Sequence, residues 1–224
     1  MHPPIKTEQH MKVSPAKENI LKKIRQALTN PVPVPFPQSE GTDSVFQPPM
    51  QEPELEFAEN FTKLQGRFVF CAHETELAQQ LALLVKTRGW TKLFCKEPAI
   101  TETLQARGFQ LPGTTSLHDC DAAVTGCEAL IARTGSILLS SAQLSGRTTS
   151  VYAPVHICIA YTSQLVYDIK EGLQQLKEQY PSLPSLITLA TGPSRTADIE
   201  KTLVVGVHGP REVFCFLVEQ NGNQ

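Results

Sequence analysis

Residues 185–219, SLITLATGPSRTADIEKTLVVGVHGPREVFCFLVE, decide how this chain is read. Three short apolar runs stand out within them: Leu186–Ala190, Leu203–Val207 and Val213–Val218. Their lengths suit buried strands, and two are rich in β-branched residues. Between the runs lie two Gly-Pro loops that carry Ser194, Arg195, Thr196, Asp198, His208 and Arg211. Apolar strands ending in short loops of Gly, Arg and small hydroxyls describe a site held on a rigid scaffold.

Upstream, the pattern alternates. Arg67–Ala72, Lys92–Cys95 and Asp121–Thr125 read as strands, Glu74–Arg88 and Pro98–Arg107 as helices. This alternation predicts right-handed βαβ units and a mainly parallel sheet. After Gly126 the runs shorten: Ala129–Ala132, Ile137–Ser141 and Thr148–Val151 read as strands with local antiparallel pairing. His156–Tyr161 reads as an apolar strand and Asp168–Tyr180 as a helix. The fold class expected is therefore α/β, a layered sheet with an added β portion.

The N-terminal part differs. Ser14-Pro15 opens a helix with Ile20, Leu21, Ile24, Ala27 and Leu28 on one stripe. So short a helix needs a surface to dock on, its own domain or a neighbouring subunit. A homo-oligomer is thus among the expected states. Seven of the 17 prolines fall between Pro31 and Pro53, which reads as an extended spacer. A short helix follows over Glu54–Gln65. Three segments are expected: a helical arm over 1–30, a proline-rich linker with a short helix over 31–66, and an α/β domain over 67–220.

The 224 residues suffice for one sizeable core, and Lys plus Arg (20) nearly balance Asp plus Glu (22). A formal charge of −2 lacks the basic footprint of a nucleic-acid binder. No apolar run reaches the ~18 residues of a membrane span. The first 13 residues lack the apolar core of a signal peptide, so the cytoplasm is expected. Cys71, Cys95, Cys120, Cys127, Cys158 and Cys215 form no C-x-x-C pair, which argues for buried thiols over a zinc or iron–sulfur ligand set.

The loop Thr191–Asp198 reads either as an anion seat or as a turn capped by its own hydroxyls. In the first reading Gly192 admits the ligand, Ser194 and Thr196 donate, and Arg195 forks onto a carboxylate or phosphate; in the second Arg195 pairs with Asp198. His208, beside Gly209 and Arg211, reads as an acid–base group or a structural turn residue. Glu128 reads as a nucleophile or base, or as a carboxylate that orients an Arg. Thr134, Gly135 and Ser136 have turn chemistry that can also expose N–H groups to an anion, and Arg147 adds another cation among hydroxyls. The chain has no G-x-x-x-x-G-K-[ST], G-x-G-x-x-G or H-E-x-x-H, which disfavours phosphate-loop, Rossmann-fingerprint and zinc-peptidase chemistry.

Glu128–Ser136 (EALIARTGS), Gly146-Arg147, Pro154-Val-His156-Ile, Thr191–Glu200 (TGPSRTADIE) and Gly206–Arg211 (GVHGPR), in this order, resemble the LUD domain family that lactate utilization protein C typifies. The likeness runs over roughly Arg67 to Glu219. It implies a fold similar to the CoA-transferase and sugar-phosphate-isomerase superfamily. It also implies a role in oxidising L-lactate to pyruvate beside iron–sulfur partner proteins, with no cluster in this chain. A small carboxylate or phosphate-bearing ligand is the expected occupant. A free-standing CoA-transferase- or isomerase-like enzyme using Glu128, and a non-catalytic scaffold subunit, are the alternatives.

Overall fold

Five parallel strands run through the molecule in the order β1–β11–β6–β3–β2, as seen in a computed structural model. They are β1 (Arg67–Cys71), β2 (Leu93–Cys95), β3 (Ala122–Thr125), β6 (Val155–Tyr161) and β11 (Glu212–Val218). The structure describes residues 15–28, 48–49, 51–196 and 204–220, so Asp198 lies outside the described residues. The chain divides into two compact units, Met1–Gln47 and Pro48–Gln224.

In the first unit the helix expected after Ser14 is α1 (Pro15–Leu28), with proline at its first position. Residues 18–26 are all exposed, Ile20 and Ile24 among them.

In the second unit β6 and β11 are buried on both faces, which explains their near-continuous apolar sequence. One face is covered by α3 (Glu74–Arg88) and α4 (Pro98–Ala106), whose Leu77, Leu81 and Leu104 meet Ile157, Ile159, Phe214 and Phe216. The other face carries Cys158, Ala160, Cys215 and Leu217. It packs on a second sheet of order β7–β4–β5–β8, built from β4 (Ala129–Ile131), β5 (Ser136–Ser140), β7 (Leu165–Val166) and β8 (Ile187–Ala190). β5 pairs antiparallel with both β4 and β8. The outer face of this second sheet buries Ile131 and Leu138 against Leu176 of α6 (Ile169–Gln179). A layered α/β fold with an added β portion is therefore what the chain adopts.

The short helix expected before Gly66 is α2 (Pro53–Lys63), and its Phe57 and Phe61 are fully buried beside Leu130 and Ile137. The two rings stack at 5.4 Å, and Phe68 meets Phe57 edge-on at 5.8 Å.

Two expectations change. Thr148–Val151, expected as a strand, is in its core the single helical turn α5 (Thr149–Tyr152). Thr149 donates its hydroxyl to Ser145 O at 2.5 Å, a local bond that closes a turn instead of feeding a ladder. Of the three opening runs, only Val213–Val218 is fully buried. Leu189 on β8 is exposed because β8 is an edge strand, and so are Val205 and Val207 around β10 (Val204–Val205).

Candidate functional site

The two Gly-Pro loops meet. Ser194 N–H donates to Pro210 O, Gly206 N–H to Ser194 O, and Arg211 N–H to Pro154 O, at 2.9, 2.9 and 2.8 Å. β9 (Arg195–Thr196) pairs antiparallel with β10, setting Arg195 opposite Val205 and Thr196 opposite Val204. Gly209 lets the loops close, since a Cβ there would stand 2.8 Å from Ser194 Cβ. His208 and Arg211 are exposed, and the Arg211 stem lies over Gly206. Arg195 donates from Nη2 to Leu64 O at 2.7 Å, so its guanidinium is partly committed to the end of α2.

The turn after β4 joins the same neighbourhood. Thr134, Ser136 and Thr191 form a hydroxyl chain with steps of 2.7 and 3.0 Å. Gly135 and Gly192 have positive φ, and the space beside each is taken by α2 or the residue that caps it. A Cβ on Gly135 would meet Phe61 N at 2.4 Å, and one on Gly192 would meet Leu64 O at 2.4 Å. Asn60 adds bonds to the carbonyls of Ala132 and Arg133, both at 3.1 Å. Gly192, expected to admit a ligand, and Gly135, expected in a turn that can expose N–H groups, both make room for the chain's own backbone. Arg133 is also committed, bonding Asp168 at 2.5 Å.

Glu128 sits elsewhere. It follows β3, at the carboxyl edge of the parallel sheet, whereas His208 precedes β11, at the amino edge. The two candidate catalytic residues thus lie at opposite edges and share no site. The loop from Thr191 follows the carboxyl end of β8, which belongs to the second sheet, and the loop with His208 precedes the parallel strand β11. The crevice where open α/β sheets collect ligands lies on Glu128's side.

A polar network occupies that edge. The Glu128 carboxylate accepts from Ser140 Oγ at 2.5 Å and from Tyr180 OH at 3.1 Å. The Tyr180 phenol is raised above its usual range by burial and then by the Glu128 charge. Next to Ser140, Ser141 Oγ lies 3.1 Å from Ser185 Oγ, which in turn accepts a bond from Arg147 Nη2. A half-buried carboxylate thus ends one group of hydroxyls and an exposed cation another, the two groups joined through the backbone of Ser140 and Ser141. Glu97, at the end of β2, accepts Gly126 N–H at 3.1 Å and the Ser145 hydroxyl, tying the β2 and β3 loops together.

Sequence reasoning did not single out Glu97, Ser140, Ser145, Tyr180 or Ser185 as site residues. For Glu97 the available signal was its place between a strand and a helix-opening proline. His156 of the motif series is fully buried on β6. Thr125 Oγ1 donates to Gly126 O at 2.8 Å and accepts from His156 Nε2–H at 2.8 Å, while Nδ1 has no partner among the described residues. Burial lowers this imidazole to about 4. Among the described residues no three His, Cys, Asp or Glu side chains are grouped to hold a metal ion, and no helix is long and apolar enough to cross a membrane.

Fold and site define a class: an α/β protein whose parallel sheet is backed by a small mixed sheet, with hydroxyl-rich polar clusters at both sheet edges. Residues 113–218 match the family model of the LUD domain, so the family recognised from the motifs is the family matched, over about half of the chain. An uncharacterized protein of Neisseria meningitidis serogroup B is 39% identical over 105 residues, 47% of this chain and 45% of that protein. Lactate utilization protein C of Deinococcus radiodurans is 36% identical over 107 residues, 46% of this chain and 48% of that protein. The Bacillus licheniformis protein of the same name is 36% identical over 99 residues, 43% of this chain and 41% of that protein. The chain thus spans about half the length of the curated relatives it matches. A crystal structure of a DUF162 family protein from Deinococcus radiodurans shares the fold, with a TM-score of 0.53 and 21% identity over 74% of this chain and 96% of that one.

Proposed function

We propose that this protein serves lactate utilization in the cytoplasm by holding a small 2-hydroxy or 2-oxo carboxylate at the carboxyl edge of the parallel sheet. The observation that carries the reading is the carboxylate of Glu128, held at this edge by Ser140 and Tyr180, with Arg147 bonded through Ser185 to Ser141, the residue next to Ser140 in the chain. Arg147 supplies a fork for the carboxylate, and Glu128 accepts the bond of a neighbouring hydroxyl. The names of the lactate utilization protein C relatives support the substrate class. Electron transfer falls to iron–sulfur partner proteins in this reading, and the chain contributes binding and orientation.

Calorimetry with L-lactate, pyruvate and inorganic phosphate tests it. Arg147→Ala should weaken carboxylate binding by roughly 1.5–3 kcal/mol, and Glu128→Gln should weaken lactate more than pyruvate. A second reading places the anion at the Gly-Pro loops, favoured by the two backbone bonds that join Ser194 to Pro210, next to Arg211 in the chain, and to Gly206, under the Arg211 stem. Under that reading Arg211→Ala carries the loss and Arg147→Ala does not. Absence of binding by the unaltered protein would defeat both.

A further inference from the structure

A groove of about 480 Å³ lies between α2 and the edge strand β1, outside both polar clusters. Its apolar wall includes Leu55 and Phe70, 58% and 45% exposed, with Phe68 behind them. Glu52, Glu54 and Glu219 rim it, and none of the three has an ion pair among the described residues. β1 ends the parallel sheet, so among the described residues one side of its backbone is also without a strand partner. An apolar slot with an acidic rim selects a basic amphipathic helix, the groove-binding mode in which apolar anchors recur at helical spacing.

The chain itself carries such a helix. On α1 the side chains of Ile20 and Ile24 are 59% and 48% exposed, and Leu21 lies beside them. At about 100° per residue Lys23 and Arg25 fall on opposite flanks of this stripe and Lys22 opposite it. A helix of 14 residues is marginal in water without a surface to cover its apolar side. Pro31, Pro33, Pro35 and Pro37 follow it in the sequence, the composition of a semi-rigid spacer, which favours a groove on a neighbouring molecule. We propose that α1 of one copy docks in the α2–β1 groove of a second copy, its Ile20 and Ile24 against Leu55 and Phe70 and its basic flanks against Glu52, Glu54 and Glu219.

Sedimentation equilibrium of the full chain tests this. The protein should associate reversibly and more weakly at high salt. Ile20→Asp with Ile24→Asp, or Phe70→Asp alone, should weaken association about tenfold or more, with thermal unfolding of the exposed-site variants unchanged. Lys23→Glu with Arg25→Glu should weaken it too, and Glu52→Lys with Glu54→Lys in the same chain should restore it. A monomer at every concentration overturns the proposal, as does a dimer indifferent to these changes or a charge reversal that is not rescued. A monomer whose α1 amides resist hydrogen exchange only while Phe70 is intact overturns the second copy as occupant.

Discussion

The carbonyl oxygen of Leu64 lies 2.4 Å from where a Cβ on Gly192 would stand, and the same oxygen accepts the 2.7 Å bond from Arg195. The loop expected to receive a ligand is thus fastened to the end of α2. Gly108 provides a control, for its φ of +82° matches the +83° of Gly192 but nothing lies within 4 Å. Gly108→Ala should cost about 1–2 kcal/mol, the left-handed strain alone. Gly192→Ala should cost a further 1–3 kcal/mol for displacing α2. Urea unfolding of the two variants checks this, and equal losses would refute the packing role.

Arg133 and Asp168 predict a second asymmetry. The Asp168 side chain is 8% exposed, caps α6 through Lys170 N–H, and takes Arg133 Nε at 2.5 Å. Burial pushes its carboxyl up, but the Lys170 N–H bond and the Arg133 guanidinium outweigh that and leave it below its ordinary value. A carboxyl lowered by folding adds stability above its unfolded range, and that stability is lost as pH falls through the folded value. Arg133→Ala should therefore cost roughly 1.5–3 kcal/mol at neutral pH and proportionally less in acid. Denaturant midpoints measured across that range decide the matter.

His156 should make the protein acid-sensitive at milder pH. Its folded value of about 4 lies below the ordinary 6.5, so the unfolded chain binds the proton first. Stability is complete above 6.5 and falls as pH drops toward 4, by roughly 3 kcal/mol in all. In His156→Gln the slope of unfolding free energy against pH over this window should shrink by close to one proton. An unchanged slope would show that another group sets it.

The six cysteines are free, and burial raises Cys71 and Cys95 to about 11. At neutral pH little thiolate is present at either. Ellman's reagent should react slowly with the native protein and titrate all six thiols after unfolding. Rapid labelling of Cys71 or Cys95 in the native state would contradict the burial seen here.

Much of the architecture is written locally. Glu74–Arg88 is a helix from its stripe of Leu77, Leu81 and Val85, with Gly89 as a left-handed cap at φ +66°. Asp168 caps α6 as its position before Ile169 suggests, and β11 follows from an unbroken apolar run. The five-residue strand Arg67–Cys71 and the parallel sheet follow from the same periodicities. Residue spacing encodes these because helix and strand each impose one repeat on the side chains.

Placement was not written there. That Glu128 and His208 lie at opposite edges depends on strand order, which puts β11 beside β6 and β6 beside β3 through pairings far apart in sequence. That Gly135 and Gly192 make room for α2 depends on a helix more than 70 residues upstream of the nearer glycine. The motifs of this protein name its groups and their local turns. Long-range packing alone chose which of those groups face each other, because contacts between distant segments leave no periodicity in either one.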